Sequence, residues 1–322
     1  MKKIISKIFI LSIIFIVISL FSTKTMAEKK KIGILQWSTE SRYSDSKEGF
    51  IKKKKKEGFT ENEVEFITEL ADANKVKAMK IAQKFAAYKL TMYYTIGTSA
   101  AVALANEIKD TPIIFSTVYD PVESKISLGW QNSGNNTTGS SSYVPMPRIL
   151  EVLKKLKPIK NIGVLYTPGQ TNSEAQLKNL QKSEQEFNIK VIPIPIKRKE
   201  EVKNILSFAA EKVEAIYVSG SGIMDETIPE IVEITSKSKT ITFTHLEDPV
   251  TKGVLFGLSA DPREMGRLAG KKAAMVLRGA KPSDIPIEPL KNFNVILNQK
   301  TIKSGQFKIP PDFMKLVTKT IE

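Results

Sequence analysis

Ser99, Asp120 and His245 occur in the chain order that serine hydrolases of the α/β type use for nucleophile, acid and base. Ser99 sits in Gly97-Thr98-Ser99-Ala100-Ala101, close to the G-x-S-x-G turn that lifts a nucleophilic serine clear of a strand end. Ala101 stands where that turn has glycine, and no HGGG-like segment offers oxyanion-stabilising amides, so hydrolysis is the weaker reading. Binding asks for less. Gly97, Thr98 and Ser99 follow an apolar run and open a helical one, and Ser219, Gly220, Ser221 and Gly222 repeat the arrangement. Free helix-start amides with hydroxyls beside them favour a carboxylate or another anion, although the same hydroxyls also suit plain helix capping.

Other polar and aromatic residues cluster at corresponding points. Asp120-Pro121-Val122 and Asp248-Pro249-Val250 lie just past strand-like runs; an aspartate there could hold an ammonium group, but Asp before Pro is first of all a turn former. Thr117, Tyr119 and His245, immediately upstream of those turns, are the better ligand contacts. Gln36, Trp37 and Tyr43 follow the first apolar run and Tyr166 follows its counterpart, and such rings could stack on a flat ligand or form a hydrophobic lip. Asn172 and Ser173 add donors at the next helix start. His245 is the sole histidine and there is no cysteine, so histidine clusters, thiolate metal sites, disulfides and cysteine nucleophiles are excluded, and neither a metal nor a cofactor is expected. No P-loop or HExxH is present, and GSGIMD at 220 to 225 lacks the third glycine of a dinucleotide fingerprint.

The elements that must position these residues come in two matching series. FSTVYDPV at 115 to 122 returns as FTHLEDPV at 243 to 250, FAAYKLTMYYTIGTS at 85 to 99 as FAAEKVEAIYVSGSG at 208 to 222, and KIGILQ at 31 to 36 as NIGVLY at 161 to 166. Ordered matches at a nearly constant separation indicate two halves of one architecture. In each half, short apolar runs alternate with helix-period stretches, which predicts α/β halves with parallel sheets flanked by helices. Strands are expected near 32–36, 64–68, 92–96 and 113–116, and again at 162–166, 191–196, 215–219 and 241–244; helices are expected at 44–57, 74–87 and 99–107 and, most clearly, at 262–278 with Asp261 as N-cap. Between two like halves lies a cleft, the usual place for a small ligand.

At 322 residues the chain has room for two such units. Lys2, Lys3 and Lys7 precede an apolar run from Ile8 to Phe21, followed by small residues up to Ala27, the pattern of a secretory leader cleaved after Ala27. The formal charge of +15 would suit a nucleic-acid partner in the cytoplasm, but export removes that partner, and the run Lys52 to Lys56 reads as a solvated helix face.

In this order and spacing the segments IGIL, IGTSAA, TPIIFSTVYDPV, GNNTTG, IGVLYTPGQTNS, AIYVSGSG and DPREMGRLAGKKAAMVLRGAKPSDIPIE resemble the periplasmic binding proteins of ABC transporters, in the group that includes tryptophan- and tyrosine-binding components. The resemblance spans nearly all of the chain after the leader. It implies a type I periplasmic binding protein fold: two similar flavodoxin-like lobes joined by a hinge of three crossings, with the ligand cleft between them. It also implies an amine contact at Asp261. Two segments depart from the group: ESRYS at 40 to 44 replaces an HPALD-like segment, and THL at 244 to 246 replaces an ASD-like one, putting Leu246 where an acidic side chain is usual. Both fall at the expected ligand lip.

The sequence thus predicts a leader at 1–27, a first lobe at 28–140 with 259–285 returning to it, and a second lobe at 141–258 with 286–322 returning. The expected function is non-enzymatic: capture of a small molecule, an amino acid or similar zwitterion, for delivery to the permease subunits of an ABC import system. The protein would be a periplasmic monomer that meets the membrane only through the permease. A sensory module presenting the same closed form to a receptor is the alternative. In the transport reading the ligand carboxylate goes to Thr98–Ser99 or Ser221–Gly222, the ammonium to Asp261 or Asp120, and the side chain to Trp37, Tyr43 or Tyr166.

Overall fold

A computed structural model describes residues 28–322, so the expected leader and its cleavage after Ala27 lie outside the described residues. The first half runs β1 (Lys30–Gln36), α1 (Ser41–Lys56), β2 (Val64–Leu70), α2 (Lys75–Ala86), β3 (Met92–Ile96), α3 (Thr98–Glu107), β4 (Ile113–Val118) and β5 (Thr137–Ser141). The second runs α4 (Met146–Lys154), β6 (Asn161–Tyr166), α5 (Thr171–Gln181), α6 (Glu184–Phe187), β7 (Lys190–Pro195), α7 (Val202–Ala210), β8 (Ala215–Val218), α8 (Gly222–Lys237), β9 (Ile241–Thr244), α9 (Glu247–Thr251) and β10 (Phe256–Ser259). Then follow α10 (Pro262–Leu277), β11 (Glu288–Pro289), β12 (Asn294–Asn298), α11 (Gln299–Ser304), α12 (Pro311–Met314) and β13 (Lys319–Ile321).

These strands form two sheets, ordered β11-β5-β4-β3-β1-β2 and β13-β12-β10-β9-β8-β6-β7, in which every pairing is parallel except β10 with β12. Residues of β3 and β4 are buried throughout, as expected of central parallel strands covered on both faces. In each sheet the opening strand lies between the second and third, so the order of strand addition reverses at β1/β3 and at β6/β8, and the crevice above those points is where such sheets bind ligands. The chain passes between the sheets three times: after β5, between β10 and α10, and between β11 and β12. Glu288–Pro289 still pairs with β5, so the last passage falls beyond Ile285, where the sequence reading ends that segment.

Helix α10 leaves the second sheet to pack across α1 of the first half, and glycine makes the contact possible. A Cβ on Gly266 would lie 1.9 Å from the Ser46 carbonyl oxygen, and one on Gly49 2.1 Å from that of Arg263. Asp261 caps α10 by accepting from the amides of Arg263 and Glu264 at 2.8 and 3.1 Å.

Two local readings need correction. Helix α1 begins at Ser41, ahead of the expected Ser44, and Lys54, in the run taken as solvated, is buried with its ammonium 4.8 Å from the Phe66 ring. A long aliphatic stem lets a lysine cover apolar surface, which the charge run alone conceals.

Candidate functional site

The carboxyl ends of both sheets face one narrow cleft. From the first half come Trp37 after β1, Arg42 and Tyr43 at the start of α1, Thr98 and Ser99 at the start of α3, Thr117 and Tyr119 at the end of β4, and Ser142 after β5. The second half gives Gln170, Asn172 and Gln176 around α5, Gly220, Ser221 and Gly222 after β8, and His245 and Leu246 after β9. Gly97, at φ 103°, opens α3 with no side chain of its own; a Cβ there would meet Tyr43 and Trp37 at 2.9 and 3.0 Å, so glycine is what lets both rings sit over the helix start.

Thr117 is the most strained lining residue. It holds φ 57°, a left-handed conformation that a β-branched side chain disfavours, at the register shift between β4 and β5. Its hydroxyl is buried without a hydrogen-bond partner, and the Tyr119 hydroxyl is in the same condition. Burial also pushes the Tyr119 phenol far above its ordinary pKa, so it stays a donor.

The opposite wall is better satisfied. Ser221 caps α8 by accepting from the Met224 amide at 3.2 Å and shares a 2.8 Å hydrogen bond with the Thr167 hydroxyl. Gln176 Oε1 accepts from the Gly220 amide at 3.0 Å and from the Tyr217 hydroxyl at 3.3 Å. That hydroxyl also lies 2.5 Å from His245 Nδ1, while the Tyr119 ring meets the imidazole edge-on at 4.9 Å between centroids. Burial, and secondarily the charge on Arg42, pushes the His245 pKa down to about 3, so the imidazole is neutral.

Arg42 crosses the cleft. Its guanidinium reaches Asp225 of α8 at 2.5 Å and Asp248 of α9 at 3.0 Å, with all three side chains buried, and stacks 4.6 Å over the Tyr43 ring. Burial opposes the charge, but Asp225, Tyr43 and Asp248 more than offset it and hold the guanidinium above its ordinary pKa. Burial likewise raises the Tyr43 pKa to about 12.

Of the residues singled out in the sequence, Trp37, Tyr43, Thr98, Ser99, Thr117, Tyr119, Asn172, Ser221, Gly222 and His245 come together in the cleft lining. Five do not line it. Gln36 turns its amide to the Ser38 carbonyl, and Ser219 bonds Ser173 below the cleft floor. Asp120 accepts from the amides of Val122 and Glu123 within its own turn, Tyr166 packs on the second-half core, and the Asp261 carboxylate is taken up by capping. The Asp248 segment, read as a turn, is helix α9, and its carboxylate faces the other half. Gly220 and Leu246, named at the second helix start and at the expected ligand lip, also line the cleft. Arg42, Ser142, Gln170 and Gln176 were not singled out; Gln176 alone left a signal, standing one helical turn after Asn172 on the same face of α5.

The comparisons agree with this geometry. Residues 31–321 match the family model described as ABC transporter substrate binding protein. A tyrosine-binding protein of Clostridioides difficile (strain R20291) is 30% identical over 298 residues, covering 91% of this chain and 86% of that protein. Among solved structures, a Streptococcus pneumoniae ABC domain in complex with L-Trp superposes with a TM-score of 0.84 at 25% identity, covering 91% of this chain and 100% of that one. The ligand-free, open structure of a Clostridium difficile substrate binding protein with adhesive properties superposes at 0.73 and 27% identity, with the same coverage. With two like lobes, three crossings and a polar cleft at facing strand ends, this chain belongs to the ABC transporter substrate-binding protein family.

Proposed function

We propose that the cleft captures an amino acid or a similar zwitterion and that the loaded, closed form hands it to the permease of an import system. The observation that carries this is Thr117: a buried, unpartnered hydroxyl on a strained backbone at the cleft wall costs stability in the free protein, which a ligand hydrogen bond would repay. The ligand carboxylate goes to the starts of α3 and α8, where Thr98, Ser99 and Gly222 offer amides at the positive ends of their helices. Its ammonium meets neutral oxygens, Thr117 Oγ1 and Ser99 Oγ, rather than the carboxylates of Asp120 or Asp261, which are engaged elsewhere. Trp37, Tyr43 and Tyr119 enclose the side chain. The amino-acid ligands named for the Clostridioides and Streptococcus relatives support this class.

Binding is favoured over hydrolysis because the Ser-Asp-His relay is not assembled: Asp120 serves its turn, and His245 Nδ1 faces a tyrosine instead of a carboxylate. The leader pattern supports export and work in the periplasm, with residues 1–27 removed; among the described residues no helix is long and apolar enough to cross a membrane. Ligand would shift an equilibrium between open and closed lobes by its better contacts in the closed form. A thermal-shift screen of the mature protein against amino acids, nucleosides, sugars and oxyanions tests the reading, since a ligand bound only by the folded state raises the melting temperature. An amino acid should give the largest rise; a rise with sugars or oxyanions alone would overturn it.

A further inference from the structure

We propose that Arg42, Asp225 and Asp248 form a clasp between the lobes that favours the closed cleft without any of the two carboxylates touching the ligand. Arg42 belongs to α1 of the first lobe, and both aspartates belong to helices of the second. The guanidinium spans them, at 2.5 Å to Asp225 Oδ2 and 3.0 Å to Asp248 Oδ2, and neither aspartate lines the cleft.

The start of α1 makes the link conditional on closure. Glu40, at the N-cap position, gives no side-chain cap to this sixteen-residue helix. The missing cap comes from the other lobe: Asp248 Oδ2 accepts from the Arg42 amide at 3.3 Å, and Asp248 Oδ1 accepts from the Ser41 hydroxyl. When the lobes part, the first turn of α1 loses its capping carboxylate, Arg42 keeps a positive charge at a helix start where the dipole opposes it, and both aspartates lose their counter-ion. Other contacts across the gap are weaker by nature. Lys178 reaches Glu123 at 2.8 Å, and Lys75 reaches the Gly169 carbonyl, but these groups are exposed to water. The buried clasp is therefore the polar link whose loss is felt most, because a buried ion left without its partner is costly.

This inference rests on the opening and closing proposed above, but its test uses no ligand, so its failure leaves the binding reading standing and the reverse also holds. The native chain has no cysteine, and spin labels can be placed at Lys80→Cys on the first lobe and Gln185→Cys on the second, both exposed. Pulsed dipolar spectroscopy of the ligand-free doubly labelled protein should show a population at the separation found in this structure, where Arg42 bridges the lobes and which the proposal takes as the closed form. In Arg42→Met, and in Asp225→Asn combined with Asp248→Asn, that population should fall about tenfold or more relative to the open one. The two losses should be strongly non-additive, as for partners in one network. The triple variant Arg42→Met/Asp225→Asn/Asp248→Asn leaves no buried charge unpaired; it should melt cooperatively and still populate the open distance, which separates loss of the clasp from loss of the fold. Distance distributions unchanged by Arg42→Met, or a ligand-free parent with no closed population, would overturn the proposal.

Discussion

Thr117 bears two costs at once, a left-handed backbone and a buried hydroxyl with no partner. Thr117→Gly relieves the first, of the order of 1–3 kcal/mol, against a glycine entropy cost of about 0.5–1 kcal/mol. The variant should therefore melt higher than the parent while binding an amino acid more weakly; calorimetry and thermal melts on the same samples check both halves. His245 gives a pH prediction. Its folded pKa lies near 3, below the unfolded value of about 6.5, so the neutral form is the folded one and its contribution is complete only above the unfolded pKa. As pH falls from 6.5 toward 3, stability should drop by up to about 1.4 kcal/mol per unit from this residue, and His245→Asn should flatten that part of the profile in denaturant titrations at each pH. At this scale the sequence showed the residues that follow strand ends, such as Trp37, Thr98 and Ser221, because parallel sheets bind there whatever the ligand. Arg42 was hidden because its partners stand about 180 and 200 positions away and nothing local marks the pairing. Asp261 and Asp120 misled for the opposite reason, since a capping or turn carboxylate looks the same in sequence as a free one.

Among the elements, α1 is held by α10, and this pairing sets where Arg42 and Tyr43 stand. Backbone meets backbone there, so an added methyl has no flexible neighbour to displace. Gly266→Ala should force the helices apart, at about 3 kcal/mol, the upper part of the range for overpacking, and should weaken amino-acid binding although Gly266 is outside the cleft. At the second helix start, Ser221→Ala removes the cap of α8 and should cost about 1 kcal/mol of stability, read from denaturant midpoints. Strands and long helices were legible because their apolar periods are local, as in β3, β4 and α10. The start of α1 was not, because the carboxylate that caps it belongs to the other lobe, and β11 is too short a pairing to leave a period at all.

For the whole molecule, duplication explains the design: two copies of one α/β unit place their ligand-binding ends face to face, and three crossings join them. The repeated segments make this architecture readable in the sequence, since FSTVYDPV and FTHLEDPV carry Thr117 and His245 to opposite walls of one cleft. What the repeats could not convey is the asymmetry between the walls, one with buried unsatisfied hydroxyls at Thr117 and Tyr119 and the other better satisfied. Calorimetric titration of the mature protein with each common amino acid tests the account most directly, with Ser99→Ala and Thr117→Gly as controls. It predicts saturable one-to-one binding of at least one amino acid, weakened by about 1–2 kcal/mol in Ser99→Ala, the scale of one or two lost hydrogen bonds. Absence of binding by every amino acid, or binding in both variants as strong as in the parent, would contradict it.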